Sequence, residues 1–345
     1  MTNRRQVIGM GAALAATAAI GGRAALAQDA TPAASPDGTP AGTTATGEWS
    51  FTDDKGVTVT LPQRPTRLAI DVNAAAPLWD FGIRPVALFG WNILADGTLT
   101  DAGGNIELSD EITLAGDVVE PVRVEDLVAT EPELLITITF DTEDPLDYWS
   151  FTPEILEQVQ AGGYPIIALN GSGNVGETVV RFAELAESLG ADLSTPEQVE
   201  AKDLYEAKTE EMRASIAAKP DLTYLFGYLS ASELYFASVT DFGDLTFFSS
   251  LGLQIPTVGA EPGTYWTQIS PEQLGSYPGD VIFNSTRPGN FSVDELQADP
   301  VFNLHPAIGA GQVFGWNQDV IMSYQGLTIA MDAVLQANEA SNKVT

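Results

Sequence analysis

Cysteine is absent from the 345 residues and histidine occurs once, as His305. The first absence excludes disulfides, thiolate metal sites, a cysteine nucleophile and a lipid anchor attached through cysteine. The second excludes any zinc or manganese centre that needs two or three imidazoles. Basic residues are scarce too: 15 against 47 acids, for a formal net charge of −32. A surface that acidic is a poor partner for DNA, RNA or anionic lipid. No apolar run reaches the ~20 residues that a membrane-spanning helix needs. What remains is globular composition, 44% hydrophobic and 18% charged, in a chain long enough for two lobes.

The first 27 residues read as a removable export signal. Arg4 and Arg5 make a basic start, Val7 to Ile20 is an apolar stretch, and Ala25-Leu26-Ala27 is a small-residue cleavage site. The arginine pair followed by Gln6-Val7-Ile8 predicts twin-arginine export, with Asn3 where that signal usually carries Ser or Thr. Residues 1–27 hold three arginines and no acid, so the exported chain carries −35. Residues 28–47 are mostly Pro, Ala, Thr, Gly and Ser with no large apolar side chain, a composition that predicts a flexible tether.

From Trp49 onward short apolar runs alternate with helical stretches, the pattern of an α/β protein with parallel sheets. The spacing predicts a hairpin over Phe51–Leu61 and strands at Arg67–Val72, Pro85–Phe89, Leu134–Phe140 and Pro165–Leu169. Later strands are predicted at Leu222–Tyr228, Glu233–Ala237, Thr257-Val258, Val281–Asn284 and Val313–Trp316. One helix stands apart. Thr195 is a suitable N-cap, Pro196 fits the first helical position, and Pro220 is the stop. Some 23 residues make a rod of ~35 Å, so highly charged that one long side must be wet. The expected division is a lobe over 48–194, a connecting helix over 195–219 and a second lobe over 220–345.

A faint duplication supports two lobes. Glu125, Leu127, Glu133, Leu134, Leu135 and Ile136 recur as Glu272, Leu274, Asp280, Val281, Ile282 and Phe283, every pair 147 residues apart. Each copy reads as a short helix, a proline-containing turn and a buried strand.

Several residues invite a chemical reading. Gly171-Ser172-Gly173-Asn174-Val175-Gly176 matches a dinucleotide fingerprint between a strand and a helix, but no second strand ending in an acid follows; a loop opening a helix is the expectation. Asp141, Glu143, Asp144 and Asp147 crowd one loop without the spacing of a calcium site and are expected to be solvated. His305 has no nucleophile motif to serve and is expected to be structural. The aromatics say more. Trp91, Tyr148 with Trp149, Tyr228 and Trp316 each follow a predicted strand, as does Arg287. Ligands of open α/β sheets bind beyond the carboxyl ends of strands, so these residues are expected to line one cleft for a bulky ligand.

Taken in order, five stretches resemble the substrate-binding proteins of ABC importers for ferric siderophores and cobalamin. They are Phe51 through Arg67, Leu78 to Val86, Val124 to Ile136, Ile269 to Phe283 and Ala310 to Val313. The resemblance implies two Rossmann-like α/β lobes joined by a single long backbone helix, with ligand held between them. It implies a non-enzymatic, exported, monomeric receptor with no cofactor of its own. The receptor would pass its metal chelate to a permease through one exposed glutamate per lobe, here Glu125 and Glu272. With one imidazole and no thiolate, metal would arrive already chelated. With twelve basic residues left after cleavage, a hydroxamate-type ferric siderophore is expected over a triply anionic catecholate. Cobalamin is the rival within the class. A secreted hydrolase working through the 141–147 acids is the rival outside it.

Overall fold

Residues 47–231, 233–259 and 263–345 are described by a computed structural model. The export signal expected over 1–27 and the tether expected over 28–47 lie outside them, apart from Gly47. A hairpin of β1 (Trp49–Thr52) and β2 (Thr58–Leu61) opens the fold. The first lobe follows with β3 (Leu68–Asp71), α1 (Val72–Asp80), β4 (Ala87–Phe89), β5 (Thr113–Leu114), α2 (Val124–Ala129), β6 (Leu134–Thr139), α3 (Pro153–Ala161), β7 (Ile166–Asn170) and α4 (Val175–Ser188). Its strands lie in the order β5-β4-β3-β6-β7, all parallel. The three central strands, β4, β3 and β6, are buried on both faces, as a helix-covered parallel sheet requires.

The rod is α5 (Pro196–Ala218). The Thr195 hydroxyl caps it by accepting from the Gln198 N–H, and only Met212 and Ile216 of its residues are buried. The second lobe contains β8 (Tyr224–Leu229), β9 (Leu234–Ala237), α6 (Gly243–Ser250), β10 (Trp266–Ile269), β11 (Val281–Ser285), α7 (Val293–Ala298), α8 (Pro306–Gly309), β12 (Val313–Trp316) and α9 (Tyr324–Ala340). Its sheet runs β10-β9-β8-β11-β12. A strand does not form at Thr257-Val258: Pro256 has no N–H to give a ladder, and Gly259 turns the chain at φ +84°. The sheet edge is taken by β10 instead.

The two lobes follow one plan. In each, the first strand is central, the next two lie to one side and the last two to the other. The 147-residue repeat falls on equivalent parts. Glu125 and Leu127 are in α2, leading to β6; Glu272 and Leu274 are in a 3-10 turn (Pro271–Ser276), leading to β11. Glu133 and Asp280 then do the same work. Glu133 Oε2 accepts from the N–H (2.6 Å) and hydroxyl (3.3 Å) of Thr66, just before β3. Asp280 Oδ2 accepts from the N–H (3.0 Å) and hydroxyl (2.9 Å) of Thr223, just before β8. The plans part at β9. The chain enters β4 through helix α1 and so runs parallel to β3, but it enters β9 through a turn closed by Ser230 N–H to Glu233 O, and so runs antiparallel.

Each lobe has a private outer core, and a third core is continuous between them. Phe81 of the first lobe meets Tyr324 of α9 edge-on at 5.5 Å; Tyr324 meets Tyr205 of α5 at 5.4 Å; Tyr205 stacks on Phe247 of α6 at 6.3 Å. The Ser323 hydroxyl donates to Asp80, and the Gln198 amide donates to the Asp80 carbonyl at 2.7 Å. A joint this well packed makes the lobes a stiff pair.

Candidate functional site

The rim of the first lobe is built around Asp71, the last residue of β3 and the N-cap of α1. It is fully buried; its Oδ1 accepts from the N–H (2.9 Å) and amide (3.0 Å) of Asn73, and its Oδ2 from the Ser150 hydroxyl (2.6 Å). Burial raises its carboxyl to about 6, against the downward pull of those donors. Ser150 reaches it from a left-handed conformation, φ +70°. Immediately before it, Trp149 is buried edge-on against Phe140 at 5.0 Å. Trp91, after β4, is half-buried against the shared core. Tyr148 goes elsewhere. Its ring joins Phe89 and Phe151 in the outer core, with the Lys55 ammonium 5.1 Å from its centroid.

The rim of the second lobe is aromatic. Tyr224, Phe226 and Tyr228 alternate along β8 and place their rings on one face. Trp316 lies 5.3 Å from Phe226, 5.2 Å from Phe242 and 6.1 Å from Trp266; Tyr228 lies 6.3 Å from both Trp266 and Tyr235. The Trp316 indole N–H donates to Asp244 Oδ2 at 2.8 Å. Arg287 forms a two-pronged pair with Asp319, Nε to Oδ2 at 2.7 Å and its second nitrogen to Oδ1. Burial pushes the Tyr228 phenol up, Glu233 adds to this, and Arg287 opposes it.

Two recesses open where the rims face one another. A polar hollow of about 40 Å³ has Asn73, Ile138, Phe140 and Gly171 of the first lobe on one side and Asp244 and Gln318 to Met322 of the second on the other. Beside it a wider groove of about 620 Å³ runs between the 98–108 segment and Asn317. That is the size of a small-molecule site. Neighbouring residues border the two: Ala102 and Gln318 line the hollow, and Asp101, Gly103, Gly104 and Asn317 line the groove.

The remaining motifs have structural work. Gly171 and Gly176 lie where a Cβ would sit 2.9 Å from the rings of Phe140 and Phe247, and Gly173 has φ +76°, so the fingerprint packs α4 against the second lobe. In the acidic loop, Asp141 Oδ1 accepts from the N–H groups of Glu143 and Asp144, and Asp147 Oδ2 from those of Phe140 and Asp141. No group of three or more metal-binding side chains occurs among the described residues. His305 is buried; its Nδ1 accepts from Ala307 N–H at the start of α8 and its Nε2 faces Tyr277 O at 3.0 Å. Glu125 and Glu272 are exposed.

Reading only strand ends passed over Phe242, Trp266, Asp244, Gln318 and Asp319. The alternation of rings at 224, 226 and 228 was the available signal, since it marks an aromatic sheet face rather than an aromatic strand end.

Residues 109–320 match a family model described as periplasmic binding protein. No curated protein gives a significant match. Among solved structures the chain is similar to DesE, a ferric-siderophore receptor protein from Streptomyces coelicolor. The two share 30% identity over 86% of this chain and 100% of that one, with a TM-score of 0.77. VctP, the periplasmic catecholate-siderophore binding protein from Vibrio cholerae, shares the fold at 15% identity, over 85% and 100% of the chains, TM-score 0.59. So does RhuT, the periplasmic heme-binding protein from Roseiflexus sp. RS-1, at 17%, over 79% and 98%, TM-score 0.56.

Proposed function

Because the chain belongs to the periplasmic binding protein family, we propose that it is an exported receptor that captures a ferric siderophore between its lobes and delivers it to an ABC permease. The observation that carries this reading is the pair of recesses between the lobes, a polar hollow and a wider groove of about 620 Å³, next to a second lobe rich in aromatic side chains. Ring faces grip a bulky chelate through area and rigidity rather than by coordinating its metal. The ferric-siderophore ligand of DesE supports the same class.

Trp91, Tyr228 and Arg287, each half-buried, would border the cleft, with the buried Trp149, Trp266, Phe242 and Trp316 packed in the core behind them. Tyr148 is left out because its ring belongs to the outer core. The pairing of Arg287 with Asp319 favours a hydroxamate-type chelate. That arginine is already neutralised, so a triply anionic catecholate would lose its solvation for little return. Glu125 and Glu272, exposed at equivalent places on the two lobes, would meet the permease. Tryptophan quenching against ferric hydroxamates, ferric catecholates, haem and cobalamin tests the reading. Saturable quenching by ferric hydroxamates is expected; tight binding of ferric catecholates with none of the hydroxamates would overturn the ligand class.

A further inference from the structure

We propose that residues 98–108 select the chelate by its organic arms, seating a chain of methylenes and amide N–H groups and turning away a carboxylate; this rests on the ferric-siderophore reading above. All but one of the residues that line the groove of about 620 Å³ come from this one stretch, and the second lobe adds Asn317. The stretch belongs to the connection from β4 to β5, residues 90–112, whose only helical piece is a 3-10 turn (Asp101–Gly103). The equivalent connection of the second lobe, from β9 to β10, folds into α6 instead. A long irregular connection inside a compact lobe is a usual place for a binding loop.

The stretch is held as a wall. Leu94 N–H donates to Thr98 O at 2.8 Å and Thr100 N–H to Asn92 O at 3.0 Å. Gly104 takes φ +52°, and a Cβ there would lie 3.0 Å from Ile321 of the second lobe. The Asn105 amide donates to Asp80 Oδ1 at 2.9 Å, while Asp80 Oδ2 accepts from the hydroxyl of Ser323, the N-cap of α9. One carboxylate thus ties the wall to the joint between the lobes.

The chemistry of the wall names what it would hold. Leu99, Ile106 and Leu108 offer aliphatic area, suited to methylenes. The Thr98 and Thr100 hydroxyls give their protons to Asp96 Oδ1 (2.6 Å) and Asn92 Oδ1 (2.9 Å), so they meet a ligand as acceptors, fit for an amide N–H. Asp101 is the only charged residue in the lining, and no aromatic ring, lysine, arginine or histidine joins it. A carboxylate on an arm would lose its water there and find oxygen instead of a counter-charge.

The test uses the full chain and two ferric linear trihydroxamates with the same iron centre and the same methylene and amide arms, each titrated by tryptophan quenching at pH 7. One has its terminal amine acetylated; the other has it succinylated and so ends in a carboxylate. The acetylated form is expected to bind about tenfold more tightly. Leu108→Lys, at a position 42% exposed, supplies the missing counter-charge and should narrow that gap below about threefold by tightening the succinylated form. A gain of binding of this kind does not arise from misfolding. Equal affinity of the wild-type chain for the two forms, or a gap that Leu108→Lys leaves untouched, would overturn the inference with the receptor reading intact. Binding of neither chelate would overturn both.

Discussion

At the cleft the first lobe fastens its rim with a buried acid, Asp71, tied to Asn73 and Ser150. The second lobe uses a buried amide: Asn284, on β11, accepts from Leu229 N–H at 2.9 Å and donates to Phe291 O at 2.7 Å. Their inner sheet faces differ as well. The first is aliphatic, with Leu68, Ile70, Leu88, Ile136 and Ile138; the second is paved with Tyr224, Phe226, Tyr228, Tyr235, Trp266, Phe283 and Trp316. The bracing of the sheets has not diverged in this way, since Glu133 and Asp280 still hold matching threonines. Two lobes built on one plan can thus keep the frame and divide the work. The aliphatic face packs its own helices. The aromatic face packs rigid rings into the core that the two lobes share, and of its seven residues only Tyr228 is half-buried rather than buried.

The largest test of that comparison concerns the two braces. Asp280 is fully buried and also accepts from Lys343 Nζ (2.9 Å), Val344 N–H (2.8 Å) and Thr345 N–H (2.8 Å). Burial pushes its carboxyl up, but Lys343 and those donors outweigh it and hold the group far below the usual carboxylate range. Asp280→Asn should cost about 3–5 kcal/mol in urea unfolding, because it leaves charged and polar donors around a neutral group. Glu133→Gln, at a half-buried position where solvent can replace the lost charge, should cost no more than about 1 kcal/mol. Losses below that in both would break the equivalence of the braces.

Next in size is a pair of glycines at the rims. Gly90 has φ +118°, and a Cβ there would lie 2.4 Å from Asp71 Oδ2 and 2.9 Å from Ser150 Oγ. Gly90→Ala should cost about 2–4 kcal/mol through backbone strain and displacement of the acid. In the second lobe Gly289 has φ +94° but only the Tyr228 hydroxyl near, at 3.9 Å. Gly289→Ala should cost about 1–2 kcal/mol, the backbone share alone. Thermal unfolding of the two variants separates these effects. Equal losses would show that crowding around Asp71 does not matter.

Much of this frame was legible because it rests on local rules. Thr195-Pro196 and Pro220 bound the rod, and the spacing of apolar residues located β3, β6, β8 and β11. The cleft was legible only in part. Trp316, Tyr228 and Arg287 were singled out from their places after strands; the structure gathers them on one lobe, but none of the three lines either recess. Tyr148 and Trp149 are neighbours in sequence, yet they enter different cores, because the chain turns between two faces of the sheet there. Trp266 was invisible to the same reasoning, since the short turn after β8 reverses β9 and so decides where β10 lies. Asp319 has no local signal at all. Its partner is Arg287, 32 residues away, and only the pairing of β11 with β12 brings them together.

Asp71→Asn would make the first rim resemble the second, and its effect should be the smallest of the three. The sign follows from the titration. The carboxyl sits at about 6 in the fold, raised from 3.8, so the folded state favours the proton. That contribution is fully present below pH ~4 and is lost as pH rises through 6, where the fold must hold an ionised group in a dry site. The gap sets a ceiling of ~3 kcal/mol on what neutralising the group can return. An asparagine keeps the contacts: its carbonyl oxygen can accept from Asn73 while its amide donates to the Ser150 hydroxyl. Part of the ceiling is forfeited because an amide accepts more weakly than a carboxylate, so the expected gain is ~1–2 kcal/mol at pH 7.5 and none at pH 4. Urea unfolding at the two pH values decides it. A gain of equal size at both would mean that the variant acts through packing, and that an acid at this rim carries no pH dependence to distinguish it from the amide of the other.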